Sequence, residues 1–122
     1  MDMINRYECN GLYARVVEHN GILYFAGRTC GDYEKIEDQT RGILKIIEDT
    51  LEAHNSDKRH ILRAQIFLKD IARDYQPMNE VWKSWIEPGY EPARVTVQAS
   101  LAREHSLIEI VVTAVTKEAN EE

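Results

Sequence analysis

Two strand-like runs near the C-terminus each carry a single charge. The first is Pro92-Ala93-Arg94-Val95-Thr96-Val97-Gln98-Ala99; the second is Leu107-Ile108-Glu109-Ile110-Val111-Val112-Thr113-Ala114-Val115. A strand alternates its faces, so Val95, Val97 and Ala99 share one side and Arg94, Thr96 and Gln98 the other. The second run sets Ile108, Ile110, Val112 and Ala114 against Leu107, Glu109, Val111 and Thr113. A charge inside such a run is costly to bury unless it is paired or used. Two opposite charges on strands joined by a short loop leave two readings open. One is a cross-strand ion pair on a solvated face; the other is a site for a small polar ligand.

The rest of the chain supplies more strands and a layer to cover them. Ile4 to Cys9, Leu12 to Glu18 and Ile22 to Ala26 are short strand candidates, and His19-Asn20-Gly21 marks a tight hairpin between the last two. Ile36, Thr40, Ile43, Leu44, Ile47 and Leu51 recur at helical spacing. This helix should end near His54-Asn55-Ser56, and Gly42 inside it points to close packing against a strand. Ile61 to Lys69 reads as a strand with Leu62, Ala64, Ile66 and Leu68 on one face. A second helix covers roughly Tyr75 to Ile86, with Tyr75, Met78, Trp82, Trp85 and Ile86 as its apolar stripe. Pro77 fits only near its first turn, and Pro88-Gly89 stops it. Residues 117–122 form a polar tail expected to fray.

The order β-β-β-α-β-α-β-β predicts one α+β domain over residues 1–122, a mixed sheet with both helices on one face. The uncovered face would carry Ile61, Phe67, Leu107 and Val111 beside Arg63, Gln65 and Thr96. That surface is too apolar for water alone, which predicts contact with another subunit.

Composition narrows the functions available. With 43% hydrophobic and 30% charged residues, the 122-residue chain reads as an ordinary globular protein. A net charge of −6 argues against a nucleic-acid or anionic-membrane partner. No run approaches membrane-spanning length, and the first residues lack the pattern of a signal peptide, so the expected location is the cytoplasm. Cys9 and Cys30 read as free thiols. His19, His54, His60 and His105 fall in turns, loops or helix ends, with no triad partner or metal set in view. Trp82, Trp85 and Met78 read as core.

Pro92-Ala93-Arg94, Val97, Leu101-Ala102 and Ile108-Glu109-Ile110 together resemble the C-terminal signature of the reactive intermediate deaminase (RidA/YjgF) family. Gly11-Leu12-Tyr13, Tyr24-Phe25-Ala26-Gly27, Ile66-Phe67-Leu68-Lys69-Asp70 and Met78-Asn79 follow its order, so the resemblance spans almost the whole chain. It implies a chorismate-mutase-like fold assembled as a homotrimer, with sheets lining the interior and three ligand clefts between subunits. It also implies hydrolysis of small enamines and imines to a 2-keto acid and ammonia, with no metal or organic cofactor. Arg94 would then hold the substrate carboxylate and Glu109 would activate water. Tyr13, Gly27 and Thr96 match cleft positions of the family.

The chain departs from the family pattern at Ala26, where a small hydroxyl residue is usual, and at Arg28, where a neutral amide is usual. It also departs at Val95-Thr96 and at Val111. Arg28 is either a contact for a second acidic group or a solvated loop charge. Two other functions stay open: a non-catalytic module that binds small carboxylates, and an endoribonuclease, which the acidic charge disfavours.

Overall fold

The computed structural model describes residues 3–118; Met1, Asp2 and the end of the expected tail, residues 119–122, lie outside the described residues. The strands are β1 (Ile4–Cys9), β2 (Ala14–His19), β3 (Ile22–Phe25), β4 (Ile61–Leu68), β5 (Ala93–Gln98) and β6 (Ile108–Val115). The helices are α1 (Ile36–Ala53) and α2 (Ile71–Trp85). The element order is the expected one. The strands form one six-stranded sheet in the order β1-β2-β3-β6-β4-β5, antiparallel except where β5 joins β4 in parallel.

Local chemistry sets most of these boundaries. Asn20 and Gly21 take positive φ values of 54° and 77°, the conformation that a two-residue hairpin demands. Ile36, Thr40, Ile43, Leu44, Ile47 and Leu51 are all buried along α1. They meet Ala64, Ile66 and Leu68 of β4 and Ile108, Ile110, Val112 and Ala114 of β6 in one core. Among the described residues no helix is long and apolar enough to cross a membrane.

Three expectations change. β4 carries an irregularity between Ile61 and Arg63, so Ile61 turns into the core while Leu62 is 50% exposed. α2 begins four residues earlier than its apolar stripe. Asp70 caps it by accepting from Arg73 N at 3.1 Å, and Gln98 Oε1 accepts from Ile71 N at 3.0 Å. Those two bonds hold the extra turn and leave Pro77 inside the helix. Tyr75 is consequently exposed, and Val81 takes its place in the core. The tail is also tied down at its start, since Lys117 N donates to Asn55 O at 2.9 Å.

The sheet's uncovered face follows from the register. Directly opposed residues share a face. Gln65 lies opposite Val95 and Val111, and Phe67 opposite Val97 and Glu109. These residues therefore point away from the helices, and Val95 and Val97 are 43% and 41% exposed. Arg94 and Thr96 lie opposite Ala64 and Ile66, so both turn to the helix side, contrary to the expectation for Thr96. The edge strand thus shows its apolar side outward.

Candidate functional site

A groove forms where the segment after β3 turns back along β6. The Arg28 backbone makes the turn, its N–H donating to Ile110 O at 2.9 Å and its C=O accepting from Ile110 N at 3.0 Å. The chain then crosses onto α1. A Cβ at Gly42 would stand 2.7 Å from Cys30 Sγ, so the close packing expected at Gly42 is present, but against this loop and not a strand.

Buried Gln39 ties the groove's two loops together. Its Nε2 donates to Tyr33 O at 2.7 Å and to His105 O at 2.9 Å, while its Oε1 accepts from Leu107 N at 2.8 Å. Sequence reasoning passed over this residue. The signal was a polar side chain inside the apolar stripe, between Ile36 and Ile43. Gln39→Leu would leave two carbonyls and one N–H unpartnered, at a cost of about 2–5 kcal/mol. The urea midpoint should fall accordingly; an unchanged midpoint would mean the loops hold without the staple.

The groove has a volume of about 820 Å³ and is lined by Tyr13, Arg15, Gly27, Arg28, Arg103 and Glu109 among others. That is room for a small metabolite. Glu109 projects from β6 and its carboxylate lies directly against Gly27, where a Cβ would collide with it. Gly27 has no positive φ, so the glycine supplies space and not backbone freedom. Among the described residues the Glu109 carboxylate has no hydrogen-bond or ion-pair partner. Tyr13 is positioned by Asn10, whose Oδ1 accepts from Leu12 N at 3.0 Å and from Tyr13 N at 3.1 Å. The Arg15 guanidinium sits 5.6 Å from the Tyr13 ring centroid.

The family described as Endoribonuclease L-PSP matches residues 3–116. The chain belongs to this family, also called RidA/YjgF. It is 38% identical over 113 residues to a RutC family protein from Haemophilus ducreyi, covering 92% of this chain and 96% of that one. A solved YjgF family structure from Neisseria meningitidis superposes with a TM-score of 0.92 at 37% identity, covering 96% of this chain and 98% of that one. At 29% identity over 107 residues the chain also resembles the Arabidopsis thaliana protein named Reactive Intermediate Deaminase A, chloroplastic. That match covers 82% of this chain and 56% of the plant protein.

Of the positions marked by the RidA/YjgF motifs, Tyr13, Gly27, Arg28 and Glu109 meet in one groove. Arg94 and Thr96 do not join them. β4 separates β5 from β6, and the register sends Arg94 to the helix side and Glu109 to the open side. A cross-strand ion pair between them is therefore ruled out within one subunit, and so is a shared face. The reason is topological. The β4–α2–β5 crossover carries β5 to the outer side of β4, and β6 pairs with β4's other edge. The Arg94 guanidinium lies 5.4 Å from the Trp82 ring centroid on α2, a cation–π contact that holds it without a carboxylate. Thr96 Oγ1 is buried without a partner.

Proposed function

We propose that the protein hydrolyses small imines and enamines of the 2-iminopropanoate and 2-aminoacrylate type to a 2-keto acid and ammonia. The reading needs neither metal nor organic cofactor. The observation that carries it is the unpaired Glu109 carboxylate, held against Gly27 in a groove of metabolite size. Family membership and the name of the plant relative support the same chemistry.

The reaction asks for a base near the imine carbon and a cation for the carboxylate. Glu109 takes a proton from water as the oxygen adds to the carbon of the protonated imine; the C=N π pair moves to nitrogen. The resulting carbinolamine receives the proton back on nitrogen; the C–N bond then breaks, its electron pair leaving with ammonia, as the regenerated Glu109 carboxylate takes the hydroxyl proton and the carbonyl forms. An enamine first takes a proton at its methylene carbon to reach the same imine.

Arg94 is proposed as the carboxylate anchor, a planar guanidinium suited to two parallel hydrogen bonds. Since it cannot reach its own Glu109, the neighbouring copy's Arg94 supplies the anchor. β5 is an edge strand whose apolar side is exposed, and covering that side against other copies in a homotrimer would close each groove with a second wall. Tyr13 and the backbone around Gly27 and Thr96 then line a shared cleft.

The test is the decay of 2-aminoacrylate released from serine by a pyridoxal-phosphate dehydratase. Added protein should speed loss of the intermediate and the appearance of pyruvate. If decay is unchanged while pyruvate still binds, the chain is a carboxylate-binding module and not an enzyme. Among the described residues that line the groove there is no histidine, the usual group for general acid–base cleavage of RNA. Gly27→Ala gives a second check. It should keep the fold but displace the Glu109 carboxylate, lowering hydrolysis by about 10-fold or more. Full activity would show that the carboxylate works from another position.

A further inference from the structure

Arg28 is only partly exposed. Its Nε is buried with no hydrogen-bond partner. Burial and the neighbouring Arg15 together hold the guanidinium below its ordinary pKa, and Glu8, Tyr13 and Cys30 offset only part of this. Arg15 and Arg103 line the same groove. Among the described residues none of these three arginines forms an ion pair with an acid. This happens in a chain whose net charge is −6. A partly desolvated guanidinium beside a like charge is unfavourable until an anion pairs with it. Asp32 and Glu109 line the same groove, but neither pairs with these arginines, which leaves them open to an external anion.

We propose that Arg28, flanked by Arg15 and Arg103, is a subsite for a second carboxylate, so that the preferred substrate is the imine of a dicarboxylic amino acid. The inference rests on the imine-hydrolysis reading above. In that reading the first carboxylate belongs to the neighbouring copy's Arg94 and the reacting carbon to Glu109. Arg28 pairs with Ile110, the neighbour of Glu109, so its side chain leaves the sheet on the helix side and lines the groove beside Ile46 of α1, while Glu109 lines it from the open side. A second anionic group a few bonds beyond the reacting carbon is then in reach of the arginines, within a groove of about 820 Å³. Two guanidinium-bound carboxylates fix a small flexible ligand at both ends, which favours the dianion over its neutral-tailed analogue.

The experiment compares two stable keto acids of equal length, 2-oxoglutarate and 2-oxopentanoate, by titration calorimetry at fixed ionic strength. The wild-type protein should bind the dicarboxylate about 10-fold or more tightly. Arg28→Gln should bring that ratio close to one, with Arg28→Lys in between; Arg103→Gln, on an exposed loop, should lower it less and serves if Arg28→Gln misfolds. Equal wild-type affinities, or a ratio that survives Arg28→Gln, overturn the subsite. Inorganic phosphate competing as well as 2-oxoglutarate would also overturn it, by making the arginines a general anion site. Hydrolysis of 2-iminopropanoate without any dicarboxylate preference removes this inference alone. If neither keto acid binds and no imine is turned over, the parent reading falls with it.

Discussion

Glu109→Gln should abolish hydrolysis and spare binding. The amide keeps the shape of the carboxylate and fits the same space beside Gly27, but it cannot take a proton from water. Positioned general bases contribute about 10²- to 10⁴-fold, so imine hydrolysis should fall by ~100-fold or more. Binding of a stable keto acid such as pyruvate should change little, because the proposed carboxylate anchor is Arg94. The two measurements must separate. If affinity falls in step with turnover, Glu109 positions the ligand or the subunit contact, and the water-activating role is wrong. The change also removes a charge that lies opposite Phe67, itself opposite Val97, on the open face, so assembly should be checked by sedimentation alongside.

Arg94→Ala should cost about 30- to 1000-fold in turnover, the value of a charge-assisted, two-point carboxylate contact worth about 2–4 kcal/mol. The informative step comes next. Each proposed site takes Glu109 from one subunit and Arg94 from another. Arg94→Ala and Glu109→Gln proteins, each inactive, should therefore complement when unfolded together and refolded. With equal amounts of both in a closed homotrimer, a site draws an intact Arg94 with a chance of one half and an intact Glu109 with a chance of one half. About a quarter of wild-type activity should return. If the two residues act within one subunit, no mixture contains an intact site and nothing returns. The opposite orientation of the two side chains in the sheet is the reason to expect recovery.

Much of the fold was legible from periodicity. The positions spaced three and four apart from Ile36 to Leu51 could bury themselves only on a helix, and they do. The Asn20-Gly21 hairpin was legible because few residue pairs accept two positive φ values in succession. The early start of α2 was not. Asp70 and Gln98, which sit 28 residues apart in the chain, together hold the turn that precedes the apolar stripe. Pro77 then sits where a local rule would forbid it.

The candidate site divides along the same line. The motif residues Tyr13, Gly27 and Glu109, and the unusual Arg28, were all visible in the chain, and the structure gathers them in one groove. Gln39 carries no local signal of its role, because two of its three partners, His105 and Leu107, lie in a loop more than sixty residues away. By itself the sequence determined the order of the secondary elements, the alternation along most of each strand and the family. Alternation states which residues share a face, but not which face meets the helices. That choice depends on which strand pairs with which, and in what direction. Only the tertiary structure decided it: β5 joins the outer edge of β4 in parallel, Arg94 turns toward Trp82, and Glu109 turns the other way. A pairing that costs one strand's apolar side its helix cover is set by contacts spread across the whole sheet, and no local run of residues encodes it.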